Sequence, residues 1–399
     1  MSSVRDDFLR HLAQTSEAPL GLEITHAEGS WLDARDGRRY LDLIAGIGVS
    51  ALGHGHPAVR QALTEQARRH LHVMVYGEYI LEAQARLAGR LAEVLPTGLE
   101  RIYFTNSGTE AIEGALKAAR KFTGRQQFVA FEGAYHGDTM GALALGGNPV
   151  FRVPFGNLPG PVRYLPYGDE QGLDAIDADV AAVVIEPVQA EGGVRVPSRD
   201  FIRALSARCT SSGALLIFDE VLTGLGRTGR LFACEHFDVV PDVMVLAKAL
   251  GGGLPLGAFC ARDEIMFTLA RDPPLGHLTT FGGHPLSCAT GLAALEVIVG
   301  ERLWQRAAAI GAYLRDGLER LVERGIEQVR GLGLLIGLEF SDAAWVRRFV
   351  AATIDRGVII NWTLNADRVV RLAPPLTLTR DEADFALKAI EAALASTSP

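Results

Sequence analysis

An α/β fold is predicted by three observations on the 399-residue chain: a large domain built on a mostly parallel sheet, with a smaller α+β domain beside it. Short Val/Ile/Leu-rich runs such as VAAVVIE, ALLIFD and VMVLA read as strands buried on both faces. Helical patterns alternate with these runs through the middle of the chain, which favours crossover connections and a parallel sheet. The length exceeds the size at which a single hydrophobic core stops growing, so two domains are expected. The pattern assigns residues 1–55 to an amino-terminal segment that joins the small domain, 56–299 to the large domain and 300–399 to the carboxy-terminal small domain.

Taken in order, WLDARDGRRYLDL holds two strand-like stretches around Asp36-Gly37, a dipeptide suited to the positive φ angles of a tight hairpin. From Arg101 the order is strand RIYFTN, helix EAIEGALKAARK, strands QFVAF and VAAVVIE, helix DFIRALSARCTS, then strands ALLIFD, VMVLA and LGAFC. After Gly300 come a long helical stretch, strand LLIGLEF, a helix around AAWVRRFVAATIDR, strands GVII and VVRLA, and a closing helix DEADFALKAIEAALAS. No repeat or low-complexity tract interrupts the pattern.

Composition narrows the function. A formal net charge of -8 and the lack of a Lys/Arg run interleaved with aromatics argue against nucleic acid as a partner. The start, MSSVRDDFLRHLAQ, lacks the apolar core of a signal peptide, and no segment approaches membrane-spanning length, so a cytoplasmic protein with no membrane partner is expected. Cys209, Cys234, Cys260 and Cys288 are scattered without CxxC spacing, which fits reduced core thiols rather than a disulfide framework or zinc site.

Two charged residues close two of the apolar runs: Asp219 ends ALLIFD, and Lys248, 29 positions later, ends VMVLAK before the glycines of ALGGG. In open α/β sheets, ligands gather where strands end. A lysine and a carboxylate delivered there suit pyridoxal 5'-phosphate, which needs an amine for its Schiff base and an acid for its pyridine nitrogen. Alone, such an Asp reads as a cap and such a Lys as a surface charge. A phosphate site strengthens the pair. Strand RIYFTN runs into Asn106-Ser107-Gly108-Thr109 and a helix follows at once, so free amides at Ser107, Gly108 and Thr109 would face an anion. The plainer reading of that string is a capping box of Ser107 and Glu110.

Other motifs carry less. Gly224 to Gly229, GLGRTG, matches the dinucleotide fingerprint in letters, but no strand leads into it and no helical period leaves it. His54-Gly55-His56 and His70-Leu71-His72 lack carboxylates or cysteines at ligand spacing, so turn and surface histidines are expected and no metal.

With these residues in place, the chain resembles the class III pyridoxal-phosphate aminotransferases, the group that includes acetylornithine, ornithine and 4-aminobutyrate aminotransferases. The similarity runs nearly end to end through YLDLIAGIGVSALGHGHP, NSGTEA, AYHG, IEPVQAEGG, IFDEV, GLGRTG, LAKALGGG, TTFGGHPLSCA and VVRLAPPL. The resemblance implies fold-type I, with the large domain binding the cofactor. It implies that Lys248 bonds to the cofactor and then moves the substrate proton, with Asp219 keeping the ring nitrogen protonated. It further implies that Tyr135 and Val221 flank the ring, that His136 of AYHG joins the cofactor site, and that Thr280 of TTFGG reaches the phosphate of a neighbouring subunit in a homodimer with shared active sites. Arg371 would fork onto a substrate carboxylate, with Glu191 pairing it when another substrate enters.

Two departures from that pattern stand out. Members that use glutamate commonly carry HGRT, whereas this chain reads HGDT with Asp138, an acid unable to clamp a carboxylate and able to attract an amine. Leu222 in DEVLTG stands where the family usually has a glutamine that bonds the cofactor's phenolic oxygen. The reading is a ping-pong aminotransferase working between an ω-amino acid, acetylornithine- or ornithine-like donor and a 2-oxo acid, with 2-oxoglutarate as the acceptor the resemblance suggests. Two rivals are a racemase, epimerase or aminomutase of the same class, marked by hydrogen exchange without any 2-oxo acid, and a cofactor-binding protein without turnover, marked by the absence of a half-reaction.

Overall fold

The computed structural model describes residues 3–397. Near the amino terminus, β1 (Ile24–Glu28), β2 (Trp31–Ala34) and β3 (Arg39–Asp42) form an antiparallel meander. The β2–β3 hairpin turns at Asp36-Gly37 as the sequence suggests, but only Gly37 of that pair takes a positive φ, +83°. Its amide bonds Ala34 O and the Ala34 amide bonds Arg38 O, which makes a three-residue loop with one left-handed glycine in place of the two-residue turn.

The large sheet holds β4 (Arg101–Thr105), β5 (Gln127–Phe131), β6 (Val162–Leu165), β7 (Val180–Ile185), β8 (Leu215–Asp219), β9 (Val243–Leu246) and β10 (Gly257–Ala261). Its order is β4-β10-β9-β8-β7-β5-β6, and β10 alone runs against its two neighbours. Every residue of β7, β8, β9 and β10 is buried, as expected of strands covered on both faces. The helix Gly108–Thr123 lies against β10 so closely that a Cβ on Gly114 would come within 2.3 Å of the Phe259 ring. The strand β6 escapes sequence reading because VRYL is short and only one of its four residues is buried.

Beyond the helix Leu303–Glu319 come β11 (Gln328–Leu332), β12 (Leu335–Glu339), β13 (Val358–Ile359), β14 (Asn361–Trp362) and β15 (Val369–Leu372). Strands β11, β12, β15 and β14 form a second four-stranded sheet. Strand β13 pairs in parallel with β3, through Val358 with Leu41 and Ile359 with Asp42, tying the amino-terminal meander to the carboxy-terminal region. The GLGRTG segment is a turn packed on the helix Leu303–Glu319, where a Cβ on Gly229 would sit 3.1 Å from Ala308. Its buried Arg227 donates to the carbonyls of Leu334 and Pro374. All four cysteines are free and buried. Among the described residues no helix is long and apolar enough to cross a membrane.

Candidate active site

The parallel strands of the large sheet deliver their carboxy-terminal ends to one cavity of about 630 Å³. Its walls include Ser107 to Thr109 after β4, Tyr135 to Asp138 after β5, Glu186 after β7, Asp219, Val221 and Leu222 at the end of β8, and Lys248 after β9. The two residues separated by 29 positions in sequence therefore stand at the ends of neighbouring strands, with Asp219 in register with Val245 and Lys248 just beyond β9. Lys248 itself takes φ +50°, a left-handed conformation that costs an L-residue about 1–2 kcal/mol, and opens the tight turn Lys248–Gly251. Burial, then the charge of Arg371, lowers the Lys248 pKa, against upward pulls from Glu191, Asp219 and Glu186. An amine lowered in this way spends more time neutral, the form that attacks a carbonyl and accepts a proton.

Asp219 is held at both oxygens. Oδ1 accepts from the Val221 amide at 3.0 Å, and Oδ2 lies 2.7 Å from His136 Nδ1. Both side chains are buried, at 5% and 3% exposure. Burial alone would pull His136 down, but its bond to Asp219 and the charges of Asp219 and Glu186 outweigh that and raise its pKa. The Nε2 atom of His136 has no hydrogen-bond partner among the described residues. Glu186, 7% exposed, accepts from the amides of Tyr135 at 3.2 Å and Ala190 at 3.1 Å. Burial pushes its carboxyl up to about 7; Asp219 adds to the shift, while His136 and the two amides oppose it. Sequence reasoning gave Glu186 no role, although it opens the motif EPVQAEGG directly after an apolar strand, the same signal that singled out Asp219.

At the helix start, the Ser107 side chain accepts from the Glu110 amide at 3.3 Å. The capping box is incomplete, because Glu110 reaches back to the amide and side chain of Asn106, at 2.7 and 2.9 Å, and not to the Ser107 amide. The first helical amides, Gly108 and Thr109, have no intrahelical partner and point their positive end at the cavity. A Cβ on Gly108 would lie 3.0 and 3.1 Å from the Val221 methyls, so glycine lets the backbone approach that wall. Thr109 Oγ1 pairs with Thr139 Oγ1 at 2.7 Å, and Thr139 is anchored in turn by Glu113.

Tyr135 donates its hydroxyl to Asp138 Oδ2 at 2.7 Å; burial, and then that bond, raises the phenol's pKa. Leu222 is buried against Gly48, where a Cβ would collide with its Cδ1 at 2.3 Å. Arg371, on β15 and 1% exposed, stands behind Glu191 and donates to its carboxylate, whose other oxygen accepts from the Leu364 amide at 2.8 Å. Thr280 is not brought into this chain's cavity and lies exposed. His54 is no plain surface histidine, since its Nε2 lies 2.9 Å from the buried Asp42.

The cavity fits pyridoxal phosphate on observations of the fold alone. Free helix-start amides suit a dianion, a Cβ-less Gly108 leaves space beside Val221, a buried carboxylate has both oxygens fixed, and a lowered lysine amine shares the same space. The chain matches the aminotransferase class-III pattern over residues 12–394. It is 44% identical over 385 residues to the acetylornithine aminotransferase of Methanopyrus kandleri, covering 96% of both chains. It is 43% identical over 374 residues to that of Mycolicibacterium smegmatis, covering 94% of this chain and 93% of the relative. Among solved structures it is similar to an (S)-enantioselective omega-transaminase from Thermomicrobium roseum, with a TM-score of 0.92, 35% identity and 98% of each chain covered. It is also similar to the ornithine aminotransferase of Toxoplasma gondii, with a TM-score of 0.91, 32% identity and coverage of 99% and 96%. The chain belongs to the class III aminotransferase family and has its fold-type I architecture. It is a pyridoxal-phosphate-dependent aminotransferase, taking an amine donor and a keto acid.

Proposed function

We propose that this enzyme moves the terminal amino group of an ω-amino acid, acetylornithine- or ornithine-like donor to a 2-oxo acid, with 2-oxoglutarate as acceptor, in two half-reactions. The observation that carries the reading is the buried Arg371 held by Glu191 at the cavity wall. A guanidinium fork suits the carboxylate of a 2-oxo acid, and an internal carboxylate that competes for it lets the same cavity receive a substrate end without one. The names of the curated relatives, acetylornithine aminotransferases, support the donor class.

When bound, pyridoxal phosphate supplies an electrophilic carbon and a ring that draws electrons from the substrate's amine-bearing carbon. Ser107, Gly108 and Thr109 would hold its phosphate. Asp219, steadied by His136 and the Val221 amide, would face the ring nitrogen. Tyr135 and Val221 would flank the ring and fix its plane. The Lys248 amine, lowered by burial and Arg371, would take the proton from the substrate's amine-bearing carbon in the first half-reaction and supply one to the 2-oxo acid's carbonyl carbon in the second. Thr280, exposed and away from its own cavity, would complete the phosphate site of a second subunit, so the working unit is a homodimer in the cytoplasm. The same reading gives residues 56–299 to the cofactor-binding domain and 1–55 with 300–399 to the smaller one, which the β3–β13 pairing supports.

Asp138, exposed at the cavity edge and bonded to Tyr135, offers a distal amine or amide a carboxylate partner, and the second carboxylate of glutamate or 2-oxoglutarate must be held elsewhere. The test is a donor panel of N-acetylornithine, ornithine, 4-aminobutyrate and glutamate, followed by loss of the visible cofactor band under single-turnover conditions. Conversion by the terminal amines ahead of glutamate supports the reading. Conversion by glutamate alone contradicts it.

A further inference from the structure

We propose that Glu186 is a proton-exchanging counter-charge for the cofactor: it carries a proton when no ring cation occupies the cavity and releases it when the cofactor binds, acting through His136 and Asp219. The inference rests on the assignment of the cavity to pyridoxal phosphate. Glu186, His136 and Asp219 are 7%, 3% and 5% exposed, and they come from the ends of β7, β5 and β8. The Asp219 carboxylate and the His136 ring form one ion pair at 2.7 Å. That pairing leaves the buried Glu186 as a second negative charge whose hydrogen-bond donors among the described residues are two backbone amides, from Tyr135 and Ala190.

Written as ions, the three groups sum to one negative charge in a buried place, where an unmatched charge is costly. The other groups facing Glu186 do not remove it. Tyr167 donates to its backbone carbonyl at 2.9 Å and not to its carboxylate, and Lys248, whose charge it helps to sustain, forms no ion pair with it among the described residues. The missing positive charge comes either from a proton on Glu186 or from a protonated ring nitrogen beside Asp219. A carboxyl pushed up to about 7 is poised to choose between these two states at neutral pH. The exchange balances simply: one proton leaves Glu186 for solvent as one ring cation enters, and no bond to carbon changes. Glu186 is thus a positioning residue for charge, with no proton transfer to substrate required of it.

The test uses the full-length cofactor-free protein and pyridoxamine 5'-phosphate, which occupies the site without bonding covalently to Lys248. Calorimetric titration at pH 7 in buffers of different ionisation enthalpy counts the protons released on binding, in wild type and in Glu186→Gln. Phosphate protons contribute equally to both; Glu186 also raises the pKa of His136 and Lys248, so the difference is read together with a direct signal from the carboxyl itself. We expect wild type to release about half a proton per site more than the variant, as befits a group half-protonated at that pH. The substitution also places an amide nitrogen against a backbone N–H, so a second measurement is made on the unaltered chain. Its infrared difference spectrum on binding should lose a protonated-carboxylic-acid band. Equal proton counts, or no loss of that band, would overturn the inference alone. Failure of wild type to bind pyridoxamine phosphate would overturn it together with the cofactor assignment.

Discussion

Arg371, buried on β15, donates to the carboxylate of Glu191, which also accepts the Leu364 amide. The carboxylate that fixes this arginine is only partly buried while the arginine is 1% exposed, so the carboxylate is the partner free to move. Glu191→Gln should loosen the pair, because the neutral amide competes less well for the guanidinium. The apparent KM for 2-oxo acid should fall, and kcat/KM for the amine donor should fall by about tenfold or more, the cost of one charge-assisted bond. Steady-state kinetics varying each substrate check this, and an equal effect on both substrates would contradict the switch.

Gly108→Ala should weaken cofactor binding by about tenfold, within the 1–3 kcal/mol that overpacking costs. The added methyl would press on the Val221 methyls at 3.0 and 3.1 Å and on Ala247 at 3.4 Å. Titration of the cofactor-free variant with pyridoxal phosphate, followed by tryptophan fluorescence, measures the change. An unaltered dissociation constant would mean that the Val221 wall does not define the cofactor's position.

Leu222→Gln adds a donor where the cavity wall is apolar. A donor near the cofactor's phenolic oxygen favours its anionic form, so the pH at which the visible spectrum changes should move downward. A spectrophotometric pH titration of both proteins reads the shift. Superimposable curves would remove Leu222 from any contact with the chromophore.

Glu186 also shapes stability. Its pKa rises from 4.5 to about 7 on folding, so between those values the folded chain binds a proton that the unfolded chain has lost. Stability from this group is present below pH 4.5 and declines as pH rises to about 7, by on the order of 3 kcal/mol. Other groups titrate in the same window, among them His277, lowered to about 4 by burial and then Lys117. The informative quantity is therefore the difference between wild type and Glu186→Gln. Thermal midpoints of the two cofactor-free proteins should diverge steadily from pH 5 to 7 and run parallel above it. A constant difference across that range would contradict the shifted carboxyl.

What the sequence revealed follows its physics. Asp219 and Lys248 were legible because each interrupts an apolar run at a strand end, and Ser107 to Thr109 because a helix begins abruptly there. The expectation that His136 belongs to the cofactor site came from resemblance, yet its bond to Asp219 joins residues 83 positions apart and leaves no local trace. Glu186 was missed because its neighbours arrive from three different strand ends, and its raised pKa is a product of that convergence. Strand β14, two residues long, has no period to detect. The incomplete capping box shows the same limit, since spacing alone cannot tell whether Glu110 will bond Ser107 or Asn106.

The central claim is that Lys248 is the base that moves the substrate proton during amino transfer in this cavity. The most direct measurement mixes the cofactor-loaded protein with a terminal-amine donor and then with 2-oxoglutarate, comparing wild type with Lys248→Ala over many turnovers. Wild type should lose and regain its visible band in turn and accumulate glutamate, while the variant, even with cofactor bound, should show no repeated turnover. Sustained turnover by Lys248→Ala would contradict the account.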